Sequence, residues 1–272
     1  MNTKKLRLAL VGKDVSKSIS GKIHTFILAQ MGVECEYVYY SVPMQDFDSV
    51  MRTLMGDFDG FNVTIPYKRD VMGYLSEIKG DALDFGAVNT VVTSAQAGYN
   101  TDGAGFMLML TAANVDVKNK KILVLGGGGS GRSTAAILKK EGADVYMYQR
   151  RREKLLETCT EIGVTPAESG EEGGFDILIN CTGVGMHDSE GTSPVSAQAF
   201  QGASVAIDLI YRPKKSEFLR LAEEEGLQIL NGEAMLFYQA YFADCLYLET
   251  EPNLTQAAAL YLQFQQNEFN KR

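Results

Sequence analysis

Short apolar runs rich in β-branched and aromatic residues alternate along the chain with segments whose apolar residues recur every three or four positions. The runs LRLALVG (6–12), EYVYYSV (36–42) and GFNVTI (60–65) read as strands that end near glycine or proline. Between them, ISGKIHTFILAQMG and MQDFDSVMRTLMG read as helices with one face turned to a sheet. This alternation predicts right-handed crossovers and a mostly parallel sheet. AVNTVVT and GYNT, separated by small and polar residues, predict a hairpin or β-corner, and GAGFMLMLTAANV predicts a linking helix.

A second α/β pattern begins at Lys120. KKILVLG reads as a buried strand, GGGSGRSTAAILKKEG as a glycine-rich turn and helix, DVYMYQR as a strand and REKLLETCTEIG as a helix. FDILINC and SVAIDLIY read as further strands, and KKSEFLRLAEEEG as a helix closed by Gly226. The tail from Glu233 reads as helical with one break at Glu251-Pro252-Asn253, and 183–196 reads as a mobile loop.

Composition narrows the function classes. The 272 residues, 45% hydrophobic and 22% charged, exclude wholesale disorder and a fibrous repeat. At this length two domains, or one large α/β unit, are expected. No apolar run approaches the ~18 residues of a membrane span. The start MNTKKLRLALVG lacks a small-residue cleavage site and reads as a first strand, so the cytoplasm is the expected compartment. A net charge of −8 argues against nucleic acid or an anionic membrane as partner.

Cys35, Cys159, Cys181 and Cys245 show no CxxC spacing and read as reduced thiols, Cys181 as a small strand-end residue. The two histidines, His24 and His187, lie in no HxxxH or HExxH context, so no metal site is expected and a Ser-His-Asp triad is disfavoured. His24 reads as packed or capping and His187 as solvated. The chemistry is left to lysine, carboxylates, tyrosine or a cofactor.

Gly126-Gly127-Gly128-Gly129-Ser130-Gly131 fits GxGxxG directly after a strand and at the start of a helix. In that context Gly126 permits the tight turn, Gly128 lets the backbone approach a pyrophosphate, and Gly131 allows close helix–sheet packing. A glycine-rich turn without a ligand is the alternative. An NAD site places a carboxylate at the end of the next strand; here that strand runs into Tyr148-Gln149-Arg150-Arg151-Arg152. Guanidinium matches phosphate oxygens in a bidentate fashion, so NADP is favoured over NAD, with Arg150 the first candidate and Arg151 beside it.

Lys68 follows Asn62-Val63-Thr64-Ile65-Pro66, where a strand stops at a proline and side chains face the ligand crevice of a parallel sheet. A lysine there can transfer the hydroxyl proton of a hydride-transfer reaction. Asp102, in Asn100-Thr101-Asp102-Gly103, can hold that lysine and share the proton. A surface lysine and a helix N-cap are the mundane alternatives.

Together these motifs resemble the shikimate dehydrogenase family. Ser18-Ile19-Ser20 is similar to the serine pair that binds the substrate carboxylate, and Asn62 through Lys68 to the NVTxPxK signature with its catalytic lysine. Gly86-Ala87-Val88-Asn89-Thr90 resembles the segment whose asparagine meets a substrate hydroxyl, and Asn100-Thr101-Asp102-Gly103 the one that supplies the catalytic aspartate. Asn180 through Met186, with Thr182, resembles the loop near the nicotinamide. Asp208-Leu209-Ile210-Tyr211 resembles the strand end whose tyrosine lies beside the substrate, and Gly232 through Gln239 the motif whose glutamine binds substrate hydroxyls.

The resemblance implies an α/β fold of two domains with the active site in the cleft between them. A substrate-binding domain is expected over 1–105, a Rossmann NADP-binding domain over 106–236, and C-terminal helices returning to the first domain over 237–272. It also implies reversible NADP-linked oxidation of shikimate to 3-dehydroshikimate in aromatic amino-acid and chorismate biosynthesis, by a monomer or homodimer. Ser18 and Ser20 can donate to a carboxylate, while Asn62, Thr64, Asn89 and Gln239 can read hydroxyls, because a wrong substrate would leave such groups unpaired.

The chain departs from the family in its first motif, where Asp14 and Gly21 stand in place of prolines and Lys17 adds a charge. Quinate or an amino-substituted relative is therefore the alternative substrate, with NAD the alternative cofactor. A non-catalytic sensor on the same fold is the alternative from another class; the presence of both Lys68 and Asp102 speaks against it.

Overall fold

A computed structural model describes residues 5–269. The basic start of the chain and the last three residues of the helical tail lie outside the described residues. Two compact units are present: the described parts of Met1–Leu108 and Leu236–Arg272 make one, and Met109–Met235 the other.

The first unit contains β1 (Lys5–Gly12), α1 (Ser20–Gln30), β2 (Glu34–Ser41), α2 (Phe47–Asp57), β3 (Gly60–Val63), β4 (Glu77–Ile78), α3 (Asp81–Phe85), β5 (Thr90–Val92), β6 (Ala97–Tyr99) and the start of α4 (Asp102–Ala112). Its sheet runs β2-β1-β3-β5-β6-β4. β2, β1 and β3 are parallel, whereas β5 runs antiparallel to β3 and β6 to β5, as the expected hairpin requires. Helix α2 buries Phe47, Met51 and Leu54, the face that its three- and four-residue spacing predicts. These side chains join Ala9, Val11, Phe61 and Val63 in one core.

Register positions the chemistry. Lys13 N donates to Ile65 O at 3.1 Å and Thr64 N to Val11 O at 2.9 Å, so the segments leaving β1 and β3 emerge side by side at the carboxyl edge. Asn62 pairs across the ladder with Thr90, and Thr90 with Tyr99.

The second unit contains β7 (Lys121–Leu125), α5 (Gly129–Lys140), β8 (Asp144–Tyr148), α6 (Arg152–Ile162), β9 (Thr165–Pro166), β10 (Ile177–Asn180), β11 (Val205–Asp208), α7 (Glu217–Glu224) and β12 (Gln228–Asn231). The strands form an all-parallel sheet in the order β12-β11-β10-β7-β8-β9. Its central strands are buried on both faces, which is why each reads as an unbroken apolar run. The strand order reverses between β7 and β10, the point where such sheets open a crevice for a ligand.

Two further helices, α8 (Glu233–Leu248) and α9 (Leu254–Phe269), complete the chain on either side of the break at Glu251-Pro252-Asn253. Strands β4 and β9 have two residues each and carry no periodicity to read. The 183–196 segment includes a 3-10 turn at His187–Ser189, and the Ser189 hydroxyl, 3.1 Å from both Gly185 N and Gly183 O, bonds it internally. Among the described residues no helix is long and apolar enough to cross a membrane.

Candidate active site

In the first unit the turn after β3 is fastened by Tyr67, 1% exposed, whose ring stacks on Phe47 and whose hydroxyl donates to Val42 O. That anchor leaves the next residue, Lys68, at the sheet edge. Its Nζ lies 2.6 Å from Asp102 Oδ2, with side-chain exposures of 20% and 14%. Asp102 opens α4, and its own N–H is taken by Asn100 Oδ1 at 3.0 Å. The expected lysine–aspartate pair is thus formed between two turns that are 34 residues apart.

Asn89 is the hub of the surrounding polar network. Its Nδ2 donates to Asp102 Oδ1 at 2.8 Å and to Thr101 Oγ1 at 3.1 Å, while its Oδ1 accepts from Thr101 N at 2.9 Å and Thr90 Oγ1 at 2.8 Å. Gln239, on α8, brings Oε1 to 3.5 Å from both Asn89 Nδ2 and Thr101 Oγ1. This approach depends on Gly105 of α4, because a Cβ there would lie 2.6 Å from Gln239 N. Both oxygens of Asp102 are therefore committed, one to lysine and one to asparagine, in surroundings where buried hydrogen bonds hold side chains in one arrangement.

The serine pair lies at the start of α1. Ser18 Oγ is 3.0 Å from Ser20 Oγ, and Ser20 N donates to Ser18 Oγ at 3.2 Å. Gly21 N donates to the Tyr39 hydroxyl at 2.7 Å. Tyr37, on the same strand as Tyr39, donates its hydroxyl to Asn62 Oδ1 at 2.9 Å. Asn62 is 5% exposed, and its Nδ2 also lies within reach of Thr90 Oγ1 and Asn89 O, so its amide is engaged at both ends. Thr64 is half-buried beside the loop after β1, where a Cβ at Gly12 would meet its Cγ2 at 2.5 Å. Lys17 is exposed.

In the second unit the glycine-rich turn joins β7 to α5. Gly126 has φ of +103°, which glycine adopts without strain, and its N–H donates to Tyr148 O at 2.8 Å. A Cβ on Gly131 would lie 1.9 Å from Gly126 O, so this position accepts only glycine. Cβ atoms at Gly128 and Gly129 would meet open space. Helix α5 begins there with no side chain capping it, and Ser130 sits in its first turn. Beside the turn, Gln149 Nε2 is a buried donor with no partner, and its amide would meet a Cβ at Gly127.

An open, uncapped helix start with unused backbone donors fits a dinucleotide pyrophosphate. Beyond β8, the third arginine of the run, Arg152, is engaged with Glu168 at 2.7 Å and Ala167 O at 3.2 Å. Arg150 and Arg151 are exposed and form no ion pair among the described residues, so both guanidinium groups could meet a phosphate. The residues present fit NADP.

Thr182 follows β10, where its N–H and hydroxyl both donate to Asn180 Oδ1, at 3.0 and 2.6 Å. Asn180 Nδ2 in turn donates to Asp208 Oδ1 at 3.1 Å. Asp208 also accepts from Ile210 N at 3.0 Å and from the Ser216 hydroxyl. Burial pushes its carboxyl above the ordinary range, opposed by those hydrogen bonds. Burial likewise pushes the Cys181 thiol up to about 12. Gly232 packs against the end of β11, where a Cβ would lie 2.1 Å from Leu209 O, and its N–H donates to Ile210 O at 3.2 Å. Tyr211 lies three residues beyond the end of β11.

The first unit thus gathers Lys68, Asp102, Asn89, Gln239, Asn62, Thr64, Ser18 and Ser20. The second carries Gly126, Gly128, Gly129, Ser130, Gly131, Arg150, Arg151, Thr182, Gly232 and Tyr211. Sequence reasoning missed Thr90 and Thr101, which complete the Asn89 network, and the roles of Tyr37 and Tyr39. Polar residues interrupting the runs AVNTVVT and GYNT are the only local signal of that network. The two tyrosines read simply as part of a strand.

The family profile described as "Shikimate dehydrogenase substrate binding domain" matches residues 10–91. An NADP⁺ shikimate dehydrogenase of Thermus thermophilus is 35% identical over 242 residues, covering 88% of this chain and 90% of that protein. A crystal structure of shikimate 5-dehydrogenase from the same organism, in complex with NADP(H) and shikimate, superposes with a TM-score of 0.87 at 31% identity, over 95% of this chain and 99% of that one. A chorismate mutase/shikimate 5-dehydrogenase fusion protein from Clostridium acetobutylicum has a TM-score of 0.89 at 34% identity, over 98% and 99% of the two chains.

Proposed function

The chain belongs to the shikimate dehydrogenase family, and from that membership we propose that it catalyses the reversible NADP-dependent oxidation of shikimate to 3-dehydroshikimate. The observation that carries the mechanism is the 2.6 Å contact between Lys68 Nζ and Asp102 Oδ2, with Asn89 Nδ2 on the other carboxylate oxygen.

Oxidising a secondary alcohol removes a proton from oxygen and a hydride from carbon. NADP, when bound, supplies the hydride acceptor. Lys68 takes the hydroxyl proton through Nζ and Asp102 shares it through Oδ2, in the direct line their contact provides. In the reverse direction the same pair returns the proton to the carbonyl oxygen. Asn89 keeps Asp102 from rotating away and so holds the pair in one geometry.

Ser18 and Ser20 anchor the substrate carboxylate through their hydroxyls. Thr64, Asn89 and Gln239 read its ring hydroxyls, with Asn62 supporting them from beneath, and Tyr211 lies beside the substrate. Gly126, Gly128, Gly129, Ser130 and Gly131 hold the pyrophosphate of NADP, Arg150 and Arg151 its 2′-phosphate, and Thr182 and Gly232 its nicotinamide end. The enzyme acts in the cytoplasm, as a monomer or homodimer, in aromatic amino-acid and chorismate biosynthesis.

Absorbance of reduced nicotinamide, followed on mixing the protein with NADP⁺ and shikimate, tests the proposal. Quinate and NAD⁺ are run in parallel. Fast reduction with shikimate and NADP⁺ is the expected result; activity confined to quinate or NAD⁺ would overturn the assignment of substrate or cofactor.

A further inference from the structure

We infer that Tyr39 is a substrate-binding residue whose hydroxyl completes the carboxylate anchor begun by Ser18 and Ser20. This inference rests on the proposed reaction. The Tyr39 hydroxyl accepts the Gly21 N–H at 2.7 Å, which places it one peptide unit from Ser20. A phenol that accepts one hydrogen bond still has a proton to donate. Among the described residues no acceptor takes it, and the side chain is 40% exposed.

Gly21 and Tyr39 are matched to one another. A Cβ at position 21 would lie 2.6 Å from the Tyr39 hydroxyl and 2.9 Å from Tyr37 Cδ1, so any side chain there would displace the phenol. Proline, which lacks an N–H, could not make the bond at all. Tyr39 is in turn steadied by an edge contact with Tyr37, with ring centroids 5.6 Å apart, and Tyr37 is tied to Asn62. The phenol is therefore held at a fixed place on the Gly21 N–H, at the start of the helix that carries Ser20. A carboxylate has about four lone-pair sites, more than two serine hydroxyls fill, and a phenol proton is a suitable third donor. The glycine that replaces a proline after the serine pair thus creates room and a backbone donor for a further substrate ligand.

The test is Tyr39→Phe, assayed against wild type on shikimate and on shikimate methyl ester, as substrates or as competitive ligands, with thermal unfolding alongside. Loss of one hydrogen bond to a charged group predicts a KM for shikimate raised about tenfold, with kcat within about twofold. The ester, which has no carboxylate charge, should bind wild type and variant alike. An equal loss on acid and ester would mean that Tyr39 merely fastens Gly21, and no loss on either would mean it does neither; both outcomes overturn the inference. Failure of wild type itself to turn over shikimate would instead overturn the proposed reaction, and this inference with it.

Discussion

His24 Nδ1 lies 2.6 Å from Asp244 Oδ1, and both side chains are fully buried. The pair joins α1, which begins at the serine anchor, to α8, which carries Gln239. The His24 ring also stacks on Tyr37 at 4.9 Å between centroids, beneath the residue that holds Asn62. Burial raises the Asp244 carboxyl above its ordinary value, and His24 opposes that rise. Asp244 Oδ2 and His24 Nε2 have no partner, so each residue depends on the single contact.

Breaking one side of such a pair strands a buried polar group. His24→Leu or Asp244→Leu should each cost about 3–5 kcal/mol, whereas the double variant should lose much less than the sum. Urea unfolding of the four proteins decides it; strictly additive losses would show that the pair contributes nothing as a pair.

Lys68→Ala removes the group that meets the hydroxyl proton. Turnover should fall by about 10²–10⁴-fold with a modest change in KM. Asp102→Ala should also lose turnover, and the double variant should be scarcely worse than either single one, because the two act as a unit. Steady-state kinetics with shikimate and NADP⁺ would contradict this if Lys68→Ala kept wild-type kcat.

Cofactor choice is open to a charge test. Arg150→Gln should raise the KM for NADP⁺ by about tenfold or more and leave that for NAD⁺ nearly unchanged, since only the former carries the 2′-phosphate. Parallel losses with both cofactors would assign Arg150 to the surface instead.

Asp208 should leave its mark on the pH dependence of stability. Its folded pKa lies above the ordinary 3.8, so the native state holds the proton more tightly than the unfolded chain. That contribution is complete below the unfolded value and is lost as pH rises through the folded one. Asp208→Asn keeps the shape without the charge, so relative to wild type it should be more favourable at pH 7 than at pH 4. Unfolding midpoints at the two pH values test the sign, and the opposite trend would refute it.

How legible each part was follows from its interaction range. β7, the glycine turn and α5 were readable because a strand buried on both faces is an apolar run, and the helix behind it needs glycine at fixed offsets. The pattern around Lys68 was equally visible, since strand, proline and lysine are neighbours in the chain. β12 was not, because its four residues after Gly226 merge with the loop that precedes α8.

Local chemistry thus set the alternation of strands and helices, the glycine turn, and the residue types able to move a proton or meet a phosphate. Those properties depend on nearest neighbours and on periodicity, both written in the order of residues. Contacts across distant segments belong to the folded chain alone. Lys68 meets Asp102 because two turns reach one sheet edge, and Thr90 meets Asn62 because an antiparallel register pairs them. Arg152 is withdrawn by Glu168, Gly21 finds its acceptor in Tyr39, and His24 finds Asp244 across 220 residues. No local propensity encodes such meetings; they arise when packing the core brings the segments together and burial makes each polar group find a partner.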